Sequence, residues 1–369
     1  MRVGLCLMVK NEAALIERCL NSVAPLVDLV LIEDTGSTDD TIEIARNWIS
    51  CNHIEGDVFE EPWVNFAHNR SVLLQRLRYC SDIDYALMMD ADDILVRTEN
   101  FNPEAWKASL TCDVYDVRLM LGSITYERPQ LCRNSGTWHY RGVVHEFLQA
   151  PAEFTRGLAT GFYIYAGTEG SRAQNPDKYL NDAETICDAL EHEADPYMRA
   201  RYTFYLAQSW KDGGDIVKAL DAYLDRARMN GWQEEVFVSF YRAAQLKALL
   251  NYPTYDVIGT FMQAYEVCSH RAESLHGAAS YCRSQSLWYQ AYLLSRFALG
   301  IKQPDTGLFV EPWIYSYGLM DEYAVAAFWA GHPSECIAAC EWLLDNKFLP
   351  NEMRQRVQDN ARLARAKLS

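Results

Sequence analysis

The run Tyr85-Ala86-Leu87-Met88-Met89 is apolar and ends abruptly in Asp90-Ala91-Asp92-Asp93. Such a run reads as a buried central strand. Two carboxylates at i and i+2 on the irregular turn after it can jointly hold one hard divalent cation and a sugar hydroxyl. An isolated Asp-x-Asp is more often an acidic turn or a helix N-cap, so the surroundings decide. Lys10-Asn11-Glu12 follows the apolar run Val3 to Val9, and Asp34-Thr35-Gly36-Ser37-Thr38-Asp39 follows Val27 to Glu33. Ligands of open α/β sheets bind outside the carboxyl ends of the strands. The spacing therefore brings three polar clusters to one edge, where a nucleotide fits.

No G-x-G-x-x-G follows the first strand and no G-x-x-x-x-G-K-[ST] occurs anywhere. That removes the main support for a dinucleotide oxidoreductase and for a phosphate-loop kinase or ATPase. A metal on Asp92 remains able to neutralise a diphosphate without a glycine loop.

The elements that must position these residues alternate over the first 165 positions. Strands are expected at Val3 to Val9, Val27 to Glu33, Tyr85 to Met89, Val114 to Leu121, Thr125 to Leu131 and Gly142 to Leu148, with helices at Ala13 to Ser22, Thr38 to Ile49 and Asn65 to Tyr79. Ser37 or Thr38 is the expected N-cap of the second helix. This half is α/β. A polar, turn-rich stretch from Ala166 to Lys178 follows, and beyond it helical patterns dominate, so the expected domains are 1–167 and 168–369. Leu206, Ala207, Trp210, Ala219 and Tyr223 surround Gly213-Gly214 at the offsets of a tetratricopeptide helix pair. Tyr323, Ala324, Ala327, Cys336 and Cys340 echo them around Gly331, which points to an irregular α-solenoid; an unrelated helical bundle is the alternative.

Thirty-four Lys and Arg against fifty Asp and Glu leave a net charge of −16. That field repels polyanions and anionic membranes. Eleven cysteines without a C-x-x-C pair read as buried thiols of a reducing compartment. No window approaches the roughly 18 apolar residues of a membrane span. A soluble, cytoplasmic protein is the expectation.

Val9-Lys10-Asn11-Glu12, Glu33-Asp34-Thr35-Gly36-Ser37-Thr38-Asp39-Asp40-Thr41, Met89-Asp90-Ala91-Asp92-Asp93 and Trp138-His139-Tyr140-Arg141-Gly142-Val143-Val144-His145-Glu146, in this order, resemble the motifs of family-two inverting glycosyltransferases of GT-A fold. The similar subgroup carries a tetratricopeptide-like C-terminal domain. Tyr205-Leu206-Ala207-Gln208 and Gly231-Trp232-Gln233-Glu234-Glu235 extend the resemblance into the helical half. It implies a GT-A domain, Rossmann-like with a mixed sheet, followed by an all-α solenoid. It also implies a nucleotide-sugar donor, UDP-linked by family frequency, near Asn11, Glu12, Asp34 and Asp90. Asp92 would sit on a Mn²⁺ or Mg²⁺ ion that serves the leaving diphosphate. Asn69 and Arg70 match the family's polar pair, with Arg70 assisting the donor or merely solvated.

On the expected strand from Gly142 to Leu148, His145 and Glu146 point to opposite faces and divide two tasks. His145 is read as a metal ligand and Glu146 as the base that takes the acceptor proton; the alternative makes Asp93 the base. Trp138 and Tyr140 read as core or as a wall for a sugar. His68 reads as a surface histidine, and Cys336 and Cys340 as packing residues. The acceptor, whether saccharide, peptide or modified base, is not legible. The helical half is expected to serve acceptor recognition or homo-oligomerisation. Two rival readings are an interaction scaffold with a weakened catalytic half, and a nucleotidyltransferase.

Overall fold

The computed structural model describes residues 1–368 apart from 123 and 137. They divide into two compact units, Met1–Ala189 and Leu190–Ser369. The expected boundary at 167/168 falls short of that division, because residues 167, 170 and 171 hydrogen-bond back to the sheet edge of the first unit.

The first unit runs β1 (Val3–Val9), α1 (Ile16–Val23), β2 (Leu29–Asp34), α2 (Thr41–Asn52), β3 (Glu55–Glu60), α3 (Phe66–Leu77), β4 (Tyr85–Asp90), β5 (Ile94–Arg97), α4 (Pro103–Ser109), β6 (Val114–Leu121), β7 (Ile124–Arg133), β8 (His139–Arg141), β9 (Phe147–Gln149), β10 (Arg156–Leu158), β11 (Phe162–Tyr165) and α5 (Lys178–His192). The main sheet is ordered β3-β2-β1-β4-β7-β6-β11-β5, with β10 beside β6. It is mixed: β1 pairs in parallel with β2 and β4, while β7 runs antiparallel to both β4 and β6.

Leu5 and Leu7 of β1 lie in one core with Val30, Ile32, Leu87 and Met89, whereas Cys6, Leu29, Leu31, Ala86 and Met88 pack on the other face with α3. Burial on both faces explains why these strands read as unbroken apolar runs. Truncating Leu5 or Leu7 to Ala would cost about 2–5 kcal/mol by the cavity rule. Parallel register aligns the strand ends: Val9 pairs with Asp34, and Met8 with Asp90. The three polar clusters therefore share one edge.

Gly142 to Leu148 is not one strand. β8 and β9 form a separate antiparallel pair, and the chain turns between them, with Gly142 at φ +109° and His145 at φ +53°. A Cβ on residue 142 would stand 3.2 Å from the Glu146 Cα, so glycine permits the tight reversal. The alternation expected for His145 and Glu146 does not apply there. The second helix begins at Thr41, later than expected. Its N-cap is Asp40, whose side chain makes no capping bond; Asp39 accepts from the Thr41 N–H at 3.1 Å and from its hydroxyl at 2.5 Å.

The second unit comprises α6 (Pro196–Asp212), α7 (Ile216–Arg228), α8 (Gln233–Leu249), α9 (Thr254–Val267), α10 (Glu273–Ser284), α11 (Trp288–Ala298), a π-helical turn (Ile314–Gly318), α12 (Leu319–Trp329), α13 (Pro333–Asp345) and α14 (Asn351–Ala366). Each helix from α6 onward packs on the next in sequence, the pattern of a tetratricopeptide-like solenoid. Ala207, Ala219 and Tyr223 are buried in one core and Ala324, Ala327, Cys336 and Cys340 in the next, so the last two are packing residues. The Glu235 of the Gly231–Glu235 motif is paired with buried Arg226 at 2.9 Å, which gives that motif a structural role. Among the described residues no helix is long and apolar enough to cross a membrane.

Candidate active site

Beyond β1 the chain turns through Asn11, which is left-handed at φ +55°. The Asn11 N–H donates to Ser37 Oγ (2.8 Å), and Asn11 Oδ1 accepts from the Thr38 N–H (2.7 Å). The Glu12 N–H donates to Thr41 Oγ1 (2.8 Å). These bonds lash the β1 loop to the β2 loop. Asp34, 1% exposed, accepts from the N–H groups of Gly36 and Ser37 on Oδ1 (2.9 and 2.8 Å). Its Oδ2 is buried without a partner. A buried carboxylate oxygen left unmatched is costly, and such exceptions mark strain or a place for a ligand.

Asn69 is structural. Its amide donates to Glu33 Oε1 (2.7 Å) and the Pro62 carbonyl (3.1 Å), while its oxygen accepts from the N–H groups of Val64 and Asn65 (3.0 and 3.3 Å). It pins the segment leading into α3. His68 is exposed.

Arg70, next on α3 and 6% exposed, does the opposite and reaches the edge. Its Nε donates to Glu146 Oε1 (2.7 Å) and its Nη2 to Asp90 Oδ1 (2.5 Å). The Tyr140 ring lies beneath the guanidinium at 5.7 Å, and Trp138 is buried in the α3 core. Burial alone would raise the Asp90 carboxyl, but the charges of Arg70 and then Arg128 outweigh it and hold it below the usual range. Arg128 Nη2 stands 3.9 Å from Asp90 Oδ2, and its Nε is buried without a partner.

Asp92 accepts from the Gly170 N–H (3.2 Å) and Glu12 from the Ser171 N–H (2.9 Å). Burial, then the charge of Asp90, raises the Asp92 carboxyl; burial also raises Glu12, against the Ser171 hydrogen bond. Gly167 crosses Asp92 so closely that a Cβ there would meet the Asp92 carbonyl oxygen at 2.3 Å. Asp93, 3% exposed, accepts from the N–H groups of Asp90 (3.2 Å) and Gly167 (3.3 Å). Burial, with the Asp90 charge behind it, pushes its carboxyl up to about 7. Both its oxygens hold backbone, so its geometry is that of a turn support.

The structure thus joins Asp90, Arg70 and Glu146 directly, sets Asp92 and Glu12 side by side on residues 170 and 171, and places His145 in the β8–β9 turn. Arg128 escaped the sequence reading, because nothing local marks one arginine on a strand as facing the neighbouring strand's end. Also unanticipated is a grouping in the helical unit. Among the described residues, the ligand atoms of Glu234, Cys268 and His270 lie within 4.8 Å of one another, and Asp92 and His145 take part in no such group of three.

The sequence model of the family described as Glycosyl transferase family 2 matches residues 5–98. An uncharacterized glycosyltransferase of Rickettsia felis is 29% identical over 133 residues, which are 35% of this chain and 44% of that protein. The SPbeta prophage-derived glycosyltransferase SunS of Bacillus subtilis is 26% identical over 166 residues, 43% of this chain and 36% of that protein. The chain spans less than half the length of these curated relatives. Among solved structures, S. aureus TarS 1–349 in complex with UDP-GlcNAc is similar at 17% identity and a TM-score of 0.39, covering 72% of this chain and 89% of that one.

Proposed function

We infer, from a chain whose first unit carries a family 2 glycosyl transferase segment and whose second is a tetratricopeptide-like helical stack, that the protein moves a sugar from a nucleoside diphosphate to a hydroxyl or thiol acceptor with inversion. The observation that carries this reading is the unpartnered, buried Oδ2 of Asp34 at the strand edge. A carboxylate only accepts hydrogen bonds, so it suits a base with an N–H on its pairing edge, such as uracil, and a UDP-sugar is the favoured donor. Asn11 and Glu12 border the same sheet edge. Asp90, held by Arg70, is positioned for a ribose hydroxyl, and Arg128 offers its unmatched N–H and its charge to the diphosphate.

The chemistry of the donor set fits a hard divalent ion. Asp92 offers carboxylate oxygens, and its carboxyl is raised by burial and then by the charge of Asp90, both of which a cation beside it would offset. Asp92, with His145 as second ligand, would hold Mn²⁺ or Mg²⁺. When bound, such an ion supplies Lewis-acid stabilisation of the departing diphosphate.

Glu146 takes the proton of the acceptor as the acceptor atom attacks the anomeric carbon. That carbon's bond to the diphosphate oxygen breaks, and the nucleoside diphosphate leaves. One displacement on the face opposite the leaving group inverts the configuration. Arg70 fixes the position of Glu146 at the edge, and both oxygens of Asp93 are engaged by backbone, which favours Glu146 over Asp93 for this task. The helical unit is assigned acceptor recognition or oligomerisation, and a chain of eleven cysteines without a C-x-x-C pair suits a reducing cytoplasm.

The test is a panel of nucleotide sugars with Mn²⁺ or Mg²⁺, read by product. Release of nucleoside diphosphate supports sugar transfer, whereas pyrophosphate would mean nucleotidyl transfer. Asp34→Asn keeps an oxygen for the Gly36 and Ser37 amides but turns a donor toward the base, so nucleotide binding should fall at least tenfold. Unchanged nucleotide binding would remove the base assignment.

A further inference from the structure

Glu234, Cys268 and His270 come together in the helical unit, and none of them is used for sugar transfer. Glu234 stands in the first turn of α8, Cys268 closes α9, and His270 lies in the connection to α10. Cys268 Sγ is 3.9 Å from Glu234 Oε1, and His270 Nε2 is 3.7 Å from the same oxygen. Zinc bonds of about 2.0–2.3 Å in a tetrahedron space their ligand atoms roughly 3.3–3.8 Å apart. Both distances to Glu234 stand close to that spacing, all three atoms lie within 4.8 Å of one another, and the imidazole, on a residue whose side chain is 62% exposed, is free to close the remainder by rotation.

The carboxylate is also aimed. Glu234 Oε2 accepts from Arg271 Nη1 (2.5 Å) and from the Leu308 N–H (3.0 Å), which turns Oε1 toward Cys268 and His270. Arg271 is itself paired with Glu273 at 2.7 Å, so its charge is offset by two carboxylates. Supporting contacts of this kind orient metal ligands and tune their affinity.

We propose that Glu234, Cys268 and His270 bind one borderline divalent ion, zinc by preference, which ties the start of α8 to the α9–α10 connection. A sulfur and an imidazole ligand select against Mg²⁺ and Ca²⁺, so this site and the oxygen-rich edge of the first unit take different metals. On binding, the thiol proton leaves to solvent as the sulfur–metal bond forms, and no electron changes hands.

The experiment uses the full chain in the Asp92→Asn background, which silences the donor-side carboxylate, stripped with chelator and titrated with Zn²⁺ and Co²⁺. One ion per chain is expected, with a thiolate-to-cobalt charge-transfer band. Cys268→Ser should abolish the band and weaken zinc binding about 10²-fold. His270→Ala, an exposed change that leaves the packing intact, should weaken zinc binding about tenfold and erase the zinc-dependent rise in melting temperature. A cobalt spectrum without the thiolate band, or zinc binding unaltered by His270→Ala, would overturn the site. Neither outcome bears on sugar transfer, which is read separately by nucleoside diphosphate release.

Discussion

Arg70 donates from Nε to Glu146 at 2.7 Å and from Nη2 to Asp90 at 2.5 Å, so one buried guanidinium holds a carboxylate from the β8–β9 turn and another from the end of β4. The two acids lie fifty-six positions apart in the chain and depend on the same cation. Lysine cannot reproduce the fork. Arg70→Lys should keep the fold and lower turnover about 10²-fold. Arg70→Met should also cost about 2–3 kcal/mol of stability, below the usual figure for a broken buried pair because Asp90 is partly solvated. Chemical denaturation beside a transfer assay checks both, and wild-type turnover in Arg70→Lys would show the bridge to be passive.

Asp92→Asn should leave the unfolding curve nearly unchanged and abolish transfer. Excess chelator on the wild type should reproduce that loss. Normal transfer under either condition would mean that no ion on Asp92 assists the leaving group.

Glu146→Gln should preserve nucleotide affinity measured by calorimetry and lower turnover by about 10² or more, the scale of general base catalysis. At His145 the informative change is to Asn, since Asn tolerates the left-handed backbone found there. His145→Asn should weaken metal and donor together. Near-normal turnover in Glu146→Gln would pass the base role to Asp93.

Asp93 predicts a pH effect on stability. Its carboxyl titrates from the ordinary 3.8 when unfolded and about 7 when folded. Between those values the folded protein keeps a proton that the unfolded chain has lost. Stability from this group therefore falls as pH climbs from about 4 to about 7, by an amount on the order of a few kcal/mol. Asp93→Asn should flatten that fall in urea melts at pH 4.5, 6.0 and 7.5. Parallel curves for the two proteins would show that Asp93 titrates normally.

A fragment of residues 1–189 should bind nucleotide, whereas one ending at 165 should bind it poorly, because it lacks the Gly170 and Ser171 amides that hold Asp92 and Glu12. Equal affinity of the two fragments would show those amides to be dispensable.

The strands that carry the polar clusters were legible because β1, β2 and β4 are buried on both faces and must be apolar throughout. β3 was not, since Glu55, Gly56 and Asp57 are exposed on a sheet edge and leave only Val58 buried. The segment around His145 misled for a related reason. Its Val-Val pair reads as strand, but Gly142 turns the chain before the pattern can act. Asp34, Asp90 and Asp92 announced themselves by their place after apolar runs, whereas the roles of Arg70 and Arg128 depend on which element packs beside β4. The Glu234, Cys268 and His270 group joins residues thirty-four positions apart through helix packing, which no local spacing records.

Among the described residues, β5 at residues 94–97 finds its antiparallel partner only in β11 at residues 162–165. During synthesis the chain emerging from the ribosome must therefore present an incomplete sheet for some seventy residues, with Asp92 already made and the Gly170 amide that holds it still to come. The closing strand, and then the amides of residues 167, 170 and 171, arrive together within about ten residues. Completion of the sheet and seating of its acidic edge become a single late event in translation. The solenoid that follows is built the other way, each helix docking on one already made, so a pause once residue 175 has emerged from the ribosome would separate an all-or-none step from a gradual one.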